Sequence, residues 1–226
     1  MLLHCEQGLG DSIQFVRYAP LVRARGAHVV LQIQAPLAGM VGHLADEVVP
    51  QGEIARDEPV PAHELRCPLM SLPRWCGTKL ENIPAEVPYL HATPGLVSLP
   101  PGAPGRPLRV GFAWAGNPAN GADRQRSMRL ADLLPLFTDT RATFYSLQCG
   151  PRALELCGLP EGLPVHDLSP QLHDFAATAS AIAELDLVIT VDTSVAHLAG
   201  ALGRPVWTLL SFTACWRWLR DRADSP

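Results

Sequence analysis

The sequence predicts an α/β protein with two parallel-sheet domains that are joined by a linker. Of its 226 residues, 47% are hydrophobic and 18% are charged, a balance typical of a well-buried α/β protein. Short apolar stretches alternate with longer amphipathic ones, which is the pattern of parallel strands connected through covering helices. This alternation occurs on both sides of a segment dense in proline and glycine, so the sequence indicates two domains rather than one.

The first half of the chain has a strand–helix–strand–helix–strand pattern. Its longest helix is predicted over residues 12–25, because apolar residues from Ile13 to Val22 recur at helical spacing. Pro20 is expected to kink or shorten this helix, and Gly26 is expected to end it. The predicted elements in order are a strand at 2–5, a loop at 6–11, the helix at 12–25, a strand at 28–33, a helix at 36–44 and a strand at 47–49. Frequent prolines from residue 50 to 94 indicate loops and short helices there.

The second half repeats the alternation after a linker predicted at residues 97–107, where proline and glycine are densest. The predicted strands lie at 109–114, 143–148, 165–167, 187–191 and 206–210, and the predicted helices at 130–137, 174–185 and 194–202. The domains are therefore expected to be Rossmann-like, over residues 1–96 and 108–226, with a ligand-binding cleft between them. The second domain is expected to be truncated, because the chain stops soon after an aromatic patch.

Composition and charge exclude several classes of protein. The net charge of −4 comes without a basic run, so a nucleic-acid partner is not expected. Six cysteines are scattered without zinc-ligand spacing, and their simplest interpretation is reduced thiols in a cytoplasmic protein. The apolar start is too short for a signal peptide, and the longest apolar stretches have the length of a strand rather than of a membrane span. A soluble cytoplasmic protein with no transmembrane segment is therefore expected.

The most informative segment runs from residue 187 to residue 210. It is predicted as a buried strand, a polar turn formed by Asp192, Thr193 and Ser194, a short helix and a second buried strand. The first amides of a helix have no intrahelical partner, and they carry the positive end of the helix dipole. Such a junction binds phosphate or pyrophosphate without needing a lysine. The turn therefore predicts a phosphorylated ligand.

A second candidate piece is Gly8-Leu-Gly10-Asp11, between the first strand and the first helix. Glycines there are expected to permit positive φ angles and a close approach of ligand to the backbone. The pattern is not a dinucleotide fingerprint, because Ile13 stands where the third glycine belongs. Asp11 has two interpretations. It is either a carboxylate that caps the first turn of the helix or a general base that faces the interdomain cleft.

A third candidate piece is the loop after Trp114. It contains five candidates, Gly116, Asn117, Arg124, Arg126 and Ser127. The loop follows the first strand of its domain, so it is expected at the sheet edge where open α/β folds bind ligands. Arg126, which adjoins Ser127, is favoured over Arg124 as the group that neutralises a diphosphate, and the alternative is a solvated charged loop. Gln148, at the end of the next strand, is a candidate contact to the base or ribose of a nucleotide.

Two other kinds of site receive less support. No Asp-x-Asp stands at a strand end, and no His, Asp or Glu cluster has metal-ligand spacing, so no metal site is predicted. Aromatic residues gather near the end of the chain, namely Trp207, Phe212, Trp216 and Trp218. Such a patch is more typical of a core or an interface than of a platform for a sugar ring.

Two motifs taken together resemble the ADP-heptose:lipopolysaccharide heptosyltransferases, glycosyltransferase family 9. They are Gly8-Leu-Gly10-Asp11 and the later run Asp192-Thr193-Ser194-x-x-His197 with Gly203-x-Pro205. The resemblance implies the GT-B architecture of two Rossmann-like domains. On residues 6–18, 114–118 and 216–218, the chain is more similar to the glycosyltransferase-like domain that follows tetratricopeptide repeats in bacterial proteins. An N-terminal repeat region that is absent from this chain is therefore a possible partner.

The resemblance also implies roles for the candidate residues. Asp11 would be the base that deprotonates the acceptor hydroxyl, and Asp192 would contact the donor sugar while the following helix start holds the diphosphate. His197 would be a donor-site residue, and its alternative interpretation is a histidine packed beneath the turn. The chain departs from the family pattern at two positions, because family members often have glycine in place of Ser194 and use a lysine in the loop of Arg126.

The predicted function is therefore transfer of a sugar from a nucleotide diphosphate sugar to a hydroxyl of a glycan, a lipid-linked molecule or a protein. Transfer is expected to be inverting, and it needs no metal or cofactor because a helix N-terminus and an arginine stabilise the leaving diphosphate. Two alternatives remain open on the same fold. One is a non-catalytic nucleotide- or glycan-binding module of a repeat protein, and the other is a nucleotide-sugar epimerase of the UDP-N-acetylglucosamine 2-epimerase type.

Overall fold

The computed structural model describes residues 1–52, 61–121, 123–219, 222, 224 and 225. The chain divides into two compact units, Met1–His91 and Ala92–Ser225. Each unit contains a parallel β-sheet with helical connections, which is the α/β organisation that the alternating pattern predicts.

The sheet of the first unit has the strand order β3-β2-β1-β4, and every neighbouring pair is parallel. Its strands are β1 (Leu2–His4), β2 (Val30–Gln34), β3 (Glu47–Gln51) and β4 (Arg66–Pro68). In the centre of the sheet Leu3 lies opposite both Leu31 and Cys67, and all three side chains are buried. Strand β4 falls in the stretch where only loops and short helices are predicted. It escapes prediction because it has three residues and only Cys67 among them is buried.

The predicted helix over residues 12–25 is divided into three pieces. The helices of the first unit are α1 (Leu9–Phe15), α2 (Ala19–Arg23), α3 (Ala35–Ala38) and α4 (Leu72–Trp75), with 3-10 turns at Val16–Tyr18, Gly42–Leu44, Leu69–Ser71 and Leu80–Asn82. The interruption after α1 comes just before Pro20, which lies in the first turn of α2, where its missing N–H costs no hydrogen bond. Helix α1 begins three residues earlier than predicted, so Gly10 and Asp11 belong to it rather than to a loop.

The second unit has a five-stranded parallel sheet with the order β7-β6-β5-β8-β9. Its strands are β5 (Leu108–Ala113), β6 (Ala142–Ser146), β7 (Val165–Asp167), β8 (Leu187–Val191) and β9 (Val206–Leu209). Its helices are α5 (Asp123–Arg126), α6 (Phe175–Ala183) and α7 (Ser194–Ala201), with 3-10 helices at Leu130–Thr138, Pro151–Gly158, Ser169–Gln171 and Trp216–Trp218. The predicted strands and the helices before and after β8 therefore occur within a few residues of their expected bounds.

An aromatic core fills one side of the second sheet. The Phe112 ring on β5 packs against Phe137 and Phe144 with centroid distances of 4.9 and 6.5 Å. Phe112 also stacks on Trp114, which is fully buried and donates its indole N–H to Glu155 over 3.1 Å. This packing fixes the end of β5, where the loop of the predicted site begins.

Residues 97–107, predicted as a linker, belong to the second unit. Val97 is buried, Ala103 N donates to Thr143 Oγ1 over 2.9 Å, and the Tyr145 hydroxyl donates to the carbonyl of Pro100 over 2.9 Å. These contacts hold the segment against β6. In the described part of the chain, no helix combines the length and the apolar character needed to cross a membrane.

Candidate functional site

The order in which the chain adds strands to the second sheet reverses between β5 and β8. The chain adds β6 and β7 on one side of β5, and later it places β8 and β9 on the other side. Ala113 near the end of β5 is in register with Thr190 near the end of β8, so the loops that follow these strands leave the same edge side by side. In open α/β sheets, ligands bind at the carboxyl edge where the strand order reverses. The sheet thus brings the loop after β5 together with the Asp192–Ser194 turn.

The turn after β8 leaves the start of α7 without a side-chain cap. Thr193 occupies the cap position with φ −137° and ψ 175°, but its side chain makes no capping hydrogen bond. Its Oγ1 lies 3.3 Å from Oγ1 of Thr190, and the residue is buried. Ala196 N donates to the Thr193 carbonyl. The amides before it, beginning with that of Ser194, lie in the first turn of α7, where the amides of a helix have no partner inside the helix. An eight-residue helix that starts this way presents amide donors and a positive dipole end to an anion.

Asp192 and His197 lie next to each other at this turn. His197 Nε2 is 3.8 Å from Asp192 Oδ1, and their side chains are 11% and 22% exposed. The His197 ring also stacks on Trp218, with a centroid distance of 5.3 Å and an interplanar angle of 20°. His197 is therefore packed under the turn and also touches the carboxylate that is predicted to face the sugar. The sequence placed Trp218 in an aromatic patch and gave no sign of this contact.

The loop after β5 is closed by hydrogen bonds around a buried carboxylate. Gly116 N donates to Ser127 Oγ over 3.0 Å, and the Ser127 hydroxyl donates to Asp123 Oδ1 over 2.7 Å. Met128 N donates to the carbonyl of Trp114 over 2.8 Å and closes the base of the loop. Asp123 is only 6% exposed. The sequence analysis does not select Asp123, although side chains four residues apart, such as those of Asp123 and Ser127, are neighbours on a helix and can form such a bond.

Gly116 is required here for space. A methyl group built on Gly116 would lie 2.6 Å from Asp123 Oδ1 and 3.3 Å from two nitrogens of the Arg126 guanidinium. The Arg126 side chain therefore packs directly on the backbone of Gly116. Arg126 is half-buried, and its Nε is withdrawn from water with no hydrogen-bond partner in the described part of the chain. Arg124 is exposed, so Arg126 remains the predicted phosphate contact.

Asn117 and Gln148 have backbone partners of their own. Asn117 is exposed, and its Oδ1 accepts a hydrogen bond of 2.9 Å from Ala119 N, which shapes the turn. Gln148 is buried, and its Oε1 accepts from Trp114 N and Ala115 N over 3.2 and 2.9 Å. Its Nε2 donates to the carbonyl of Cys149. Gln148 thus ties the end of β6 to the end of β5, and a contact to nucleotide stays a prediction.

Cys149 lies beside Gln148 at the same edge. Partial desolvation raises the pKa of its thiol above the usual value, and the negative charge of Asp167 adds to the effect. The thiol is therefore neutral at pH 7, which disfavours a thiolate nucleophile at this edge.

In the first unit, the equivalent reversal of strand order lies between β1 and β4. Glu6 after β1 accepts a hydrogen bond of 3.0 Å from Met70 N, after β4. Gly8 then caps α1, and Gly8 N donates to Asp11 Oδ2 over 2.9 Å. Neither glycine of the motif adopts the positive φ angle that a glycine permits. Gly8 has φ −69°, and Gly10 is inside α1, because the helix begins before the predicted loop ends.

Of the two interpretations of Asp11, the structure shows the capping role. The carboxylate in the third position of α1 reaches back to the amide of the cap residue, which otherwise has no partner inside the helix. Asp11 is half-buried. A cap in this position can also accept a proton from a ligand, so the base role stays a prediction. In the residues that the structure describes, no group of three or more His, Cys, Asp or Glu side chains is arranged to hold a metal ion.

Comparisons with known proteins agree with this architecture. A family model described as glycosyltransferase family 9 (heptosyltransferase) matches residues 149–218. The glycosyltransferase family 9 structure from Veillonella parvula is 12% identical, with a TM-score of 0.63 over 94% of this chain and 81% of that chain. The E. coli heptosyltransferase WaaC with ADP-2-deoxy-2-fluoro heptose is 14% identical, with a TM-score of 0.58 over 95% of this chain and 90% of its own.

The E. coli ADP-heptose lps heptosyltransferase II is 15% identical, with a TM-score of 0.59 over 92% of this chain and 83% of that chain. The fold is GT-B. The predicted α/β class with parallel sheets is confirmed by these structures. None of the curated proteins matches the sequence. The residues matched by the family model include the Asp192–Ser194 turn, His197 and Trp218, whereas Asp11 and Arg126 lie outside them.

Proposed function

We propose that this protein is a glycosyltransferase that moves a sugar from a nucleotide diphosphate sugar to a hydroxyl acceptor. One observation carries the proposal. The uncapped start of α7 and the Asp192–Ser194 turn lie at the switch point of a GT-B sheet, inside the segment that matches glycosyltransferase family 9. The structure of WaaC with an ADP-heptose analogue supports a donor of the same chemical class.

In this proposal, the second unit binds the donor. The first amides of α7 and the Arg126 guanidinium hold the diphosphate, because both supply N–H donors and positive charge. Asp192 binds a sugar hydroxyl, and His197 lies behind it at 3.8 Å. The loop around Gly116 keeps Arg126 in place through the Ser127–Asp123 hydrogen bond.

The proposed chemical step is a single displacement with inversion. The acceptor oxygen attacks the anomeric carbon while the bond from that carbon to the diphosphate oxygen breaks. The electron pair of the broken bond leaves with the diphosphate, and the acceptor proton passes to the Asp11 carboxylate. The amides of α7 and Arg126 stabilise the charge that develops on the diphosphate, which is the role that a divalent cation has in metal-dependent transferases.

The proposal extends to the setting of the enzyme. All six cysteines are free thiols, which is the state that the reducing cytoplasm maintains. The similarity of residues 6–18, 114–118 and 216–218 to domains that follow tetratricopeptide repeats supports a repeat region as a partner. The acceptor is then a hydroxyl group of a glycan, a lipid-linked molecule or a protein.

The first test is a thermal-stability screen with ADP-, GDP- and UDP-sugars. A donor at one hundred times its Kd stabilises the folded chain by about 2.7 kcal/mol, which raises Tm by several degrees. Asp192→Asn is expected to reduce the stabilisation. Asp167→Asn is the matched control, because Asp167 ends β7 at the same edge of the sheet but away from the switch point.

Product analysis by NMR separates the alternatives. Transfer to an added hydroxyl acceptor supports the proposal. Donor that binds but is neither transferred nor hydrolysed contradicts it and indicates a binding module. Conversion of the donor without any acceptor contradicts it in favour of an epimerase.

A further inference from the structure

The 3-10 turn Trp216–Trp218 meets the turn after β8. Of its two tryptophans, Trp216 is 68% exposed, and its ring faces the guanidinium of Arg217 at 5.3 Å. Trp218 is half-buried and stacks on His197, which in turn touches Asp192. The two tryptophans therefore have different surroundings, although one residue separates them.

The indole N–H of Trp218 has no acceptor. Its Nε1 is withdrawn from solvent, and no hydrogen-bond partner lies within reach in the described part of the chain. An indole nitrogen is a donor only, so the partner that would satisfy it is an acceptor such as an oxygen atom. Buried polar groups in native proteins are nearly always paired, and an exception is explained by strain, by a functional role, or by a water or ligand that pairs with the group. In contrast, the buried Trp114 donates its N–H to Glu155 over 3.1 Å.

The position of the Trp218 indole N–H indicates which kind of acceptor would pair with it. The ring contacts His197, one helical turn into α7, and His197 contacts the carboxylate proposed to bind the donor sugar. Nucleotide sugars offer many acceptor oxygens in their phosphates and hydroxyls. We infer that Trp218 is a further donor-site residue, whose indole N–H donates to an oxygen of the bound nucleotide sugar and whose ring holds His197 against Asp192. This inference rests on the proposed function.

The substitution Trp218→Phe tests the inference because it keeps an aromatic ring on His197 and removes the N–H. Affinities for ADP and for ADP-heptose are measured by calorimetry, and Tm is measured without ligand. We expect about tenfold weaker binding, as for the loss of one hydrogen bond, and a Tm close to that of the unchanged chain. The substitution removes packing of the larger ring, which lowers the free energy of unfolding, but it also removes a buried unpaired donor, which raises it. Stability is therefore expected to change little while the affinity for ligand falls.

Trp216→Phe is the matched control, because it makes the same chemical change two residues earlier on an exposed ring. Trp216→Phe is expected to change neither the affinity for ADP nor the affinity for ADP-heptose. Weaker binding of ADP-heptose alone by Trp218→Phe identifies a sugar hydroxyl as the acceptor. Equal weakening for ADP identifies an oxygen of the nucleotide. A lower Tm with unchanged affinities overturns the inference and makes Trp218 a packing residue only.

A second measurement does not depend on the folding of a variant. The five tryptophans of the unchanged chain give indole N–H signals that triple-resonance NMR can assign. ADP-heptose is expected to shift the Trp218 signal downfield as the hydrogen bond forms, and to leave the Trp216 signal in place. Binding without a shift at Trp218 overturns the inference alone. If neither ADP nor ADP-heptose binds the unchanged chain, the proposed function fails for this donor and the assignment of Trp218 fails with it.

Discussion

At the scale of single residues, Asp11 combines a structural bond with a proposed chemical role. Its Oδ2 accepts the amide of Gly8 over 2.9 Å, which fixes the carboxylate at the first turn of α1. Asp11→Asn keeps an acceptor oxygen for that amide but cannot take a proton. We expect turnover to fall by about 100-fold or more, because general base catalysis contributes that much. The free energy of unfolding should change by less than about 1 kcal/mol.

Steady-state kinetics and donor titrations measure this prediction. Asp132→Asn is a suitable control, because Asp132 forms an exposed ion pair with Arg129 at 2.7 Å and has no proposed role in transfer. The control should leave turnover unchanged. Equal losses of turnover and of donor affinity in Asp11→Asn would make Asp11 a structural cap and would leave the acceptor without a base.

The same scale shows where sequence patterns stop being informative. Asp192, Thr193 and Ser194 are predictable because strand, turn and helix are contiguous in sequence. The Asp123–Ser127 hydrogen bond is local, but the closure of the loop by the bond from Gly116 N to Ser127 is not. Trp218 acts through its stack on His197, which lies far from it in the chain. A pattern of residue types does not report such contacts. Gln148 has a structural partner that its position at a strand end does not reveal, because its Oε1 accepts hydrogen bonds from the backbone of Trp114 and Ala115.

At the scale of elements, burial decided which parts could be predicted. Strands β5, β6 and β8 are mostly buried on both faces, and their residues are mostly apolar, aromatic or β-branched, which the sequence displays directly. Strand β4 has one buried residue and ends in Pro68, so it lacks that signal. The predicted helix at 130–137 is a 3-10 helix over Leu130–Thr138, where Pro135 removes a donor that an α-helix needs.

The loop between β5 and α5 allows a test of its own. Gly116→Ala places a methyl group 2.6 Å from Asp123 Oδ1 and 3.3 Å from the Arg126 guanidinium, so one of them must move. We expect a stability loss of about 1–3 kcal/mol, typical of overpacking, and weaker donor binding because Arg126 shifts. Urea unfolding and donor titration measure the two effects.

Gly121→Ala is the matched control in the same loop. No heavy atom lies within 4 Å of a methyl group at Gly121 among the contacts that the structure describes, and its φ is not in the left-handed region. Its stability should change by no more than about 0.5 kcal/mol. If Gly116→Ala also keeps the stability and donor affinity of the unchanged chain, the packing of Arg126 on Gly116 does not position the arginine for binding.

At the scale of the whole molecule, the order of strands in each sheet determines where the predicted motifs lie. Each unit has a sheet that reverses its strand order beside its first strand, at β1 and at β5. In both units a predicted motif follows that strand, with Asp11 in the first and the Gly116–Arg126 loop in the second. The alternating pattern predicts parallel sheets but not the side on which β4 or β8 is added. Strand order depends on how connections pack across the sheet, which no local pattern records.

The proposal of metal-independent transfer also belongs to the whole molecule, since it depends on how the protein replaces the charge of a cation. The leaving diphosphate gains negative charge as the glycosidic bond breaks, and the start of α7 with Arg126 must compensate for it. Transfer rates with EDTA should therefore stay within about twofold of those with Mg²⁺, whereas Arg126→Met should lower turnover by about 100-fold. Rates that collapse with EDTA and recover with Mg²⁺ or Mn²⁺ would show that a bound cation supplies this charge. Arg126→Met that transfers at the normal rate would assign the stabilisation to α7 alone.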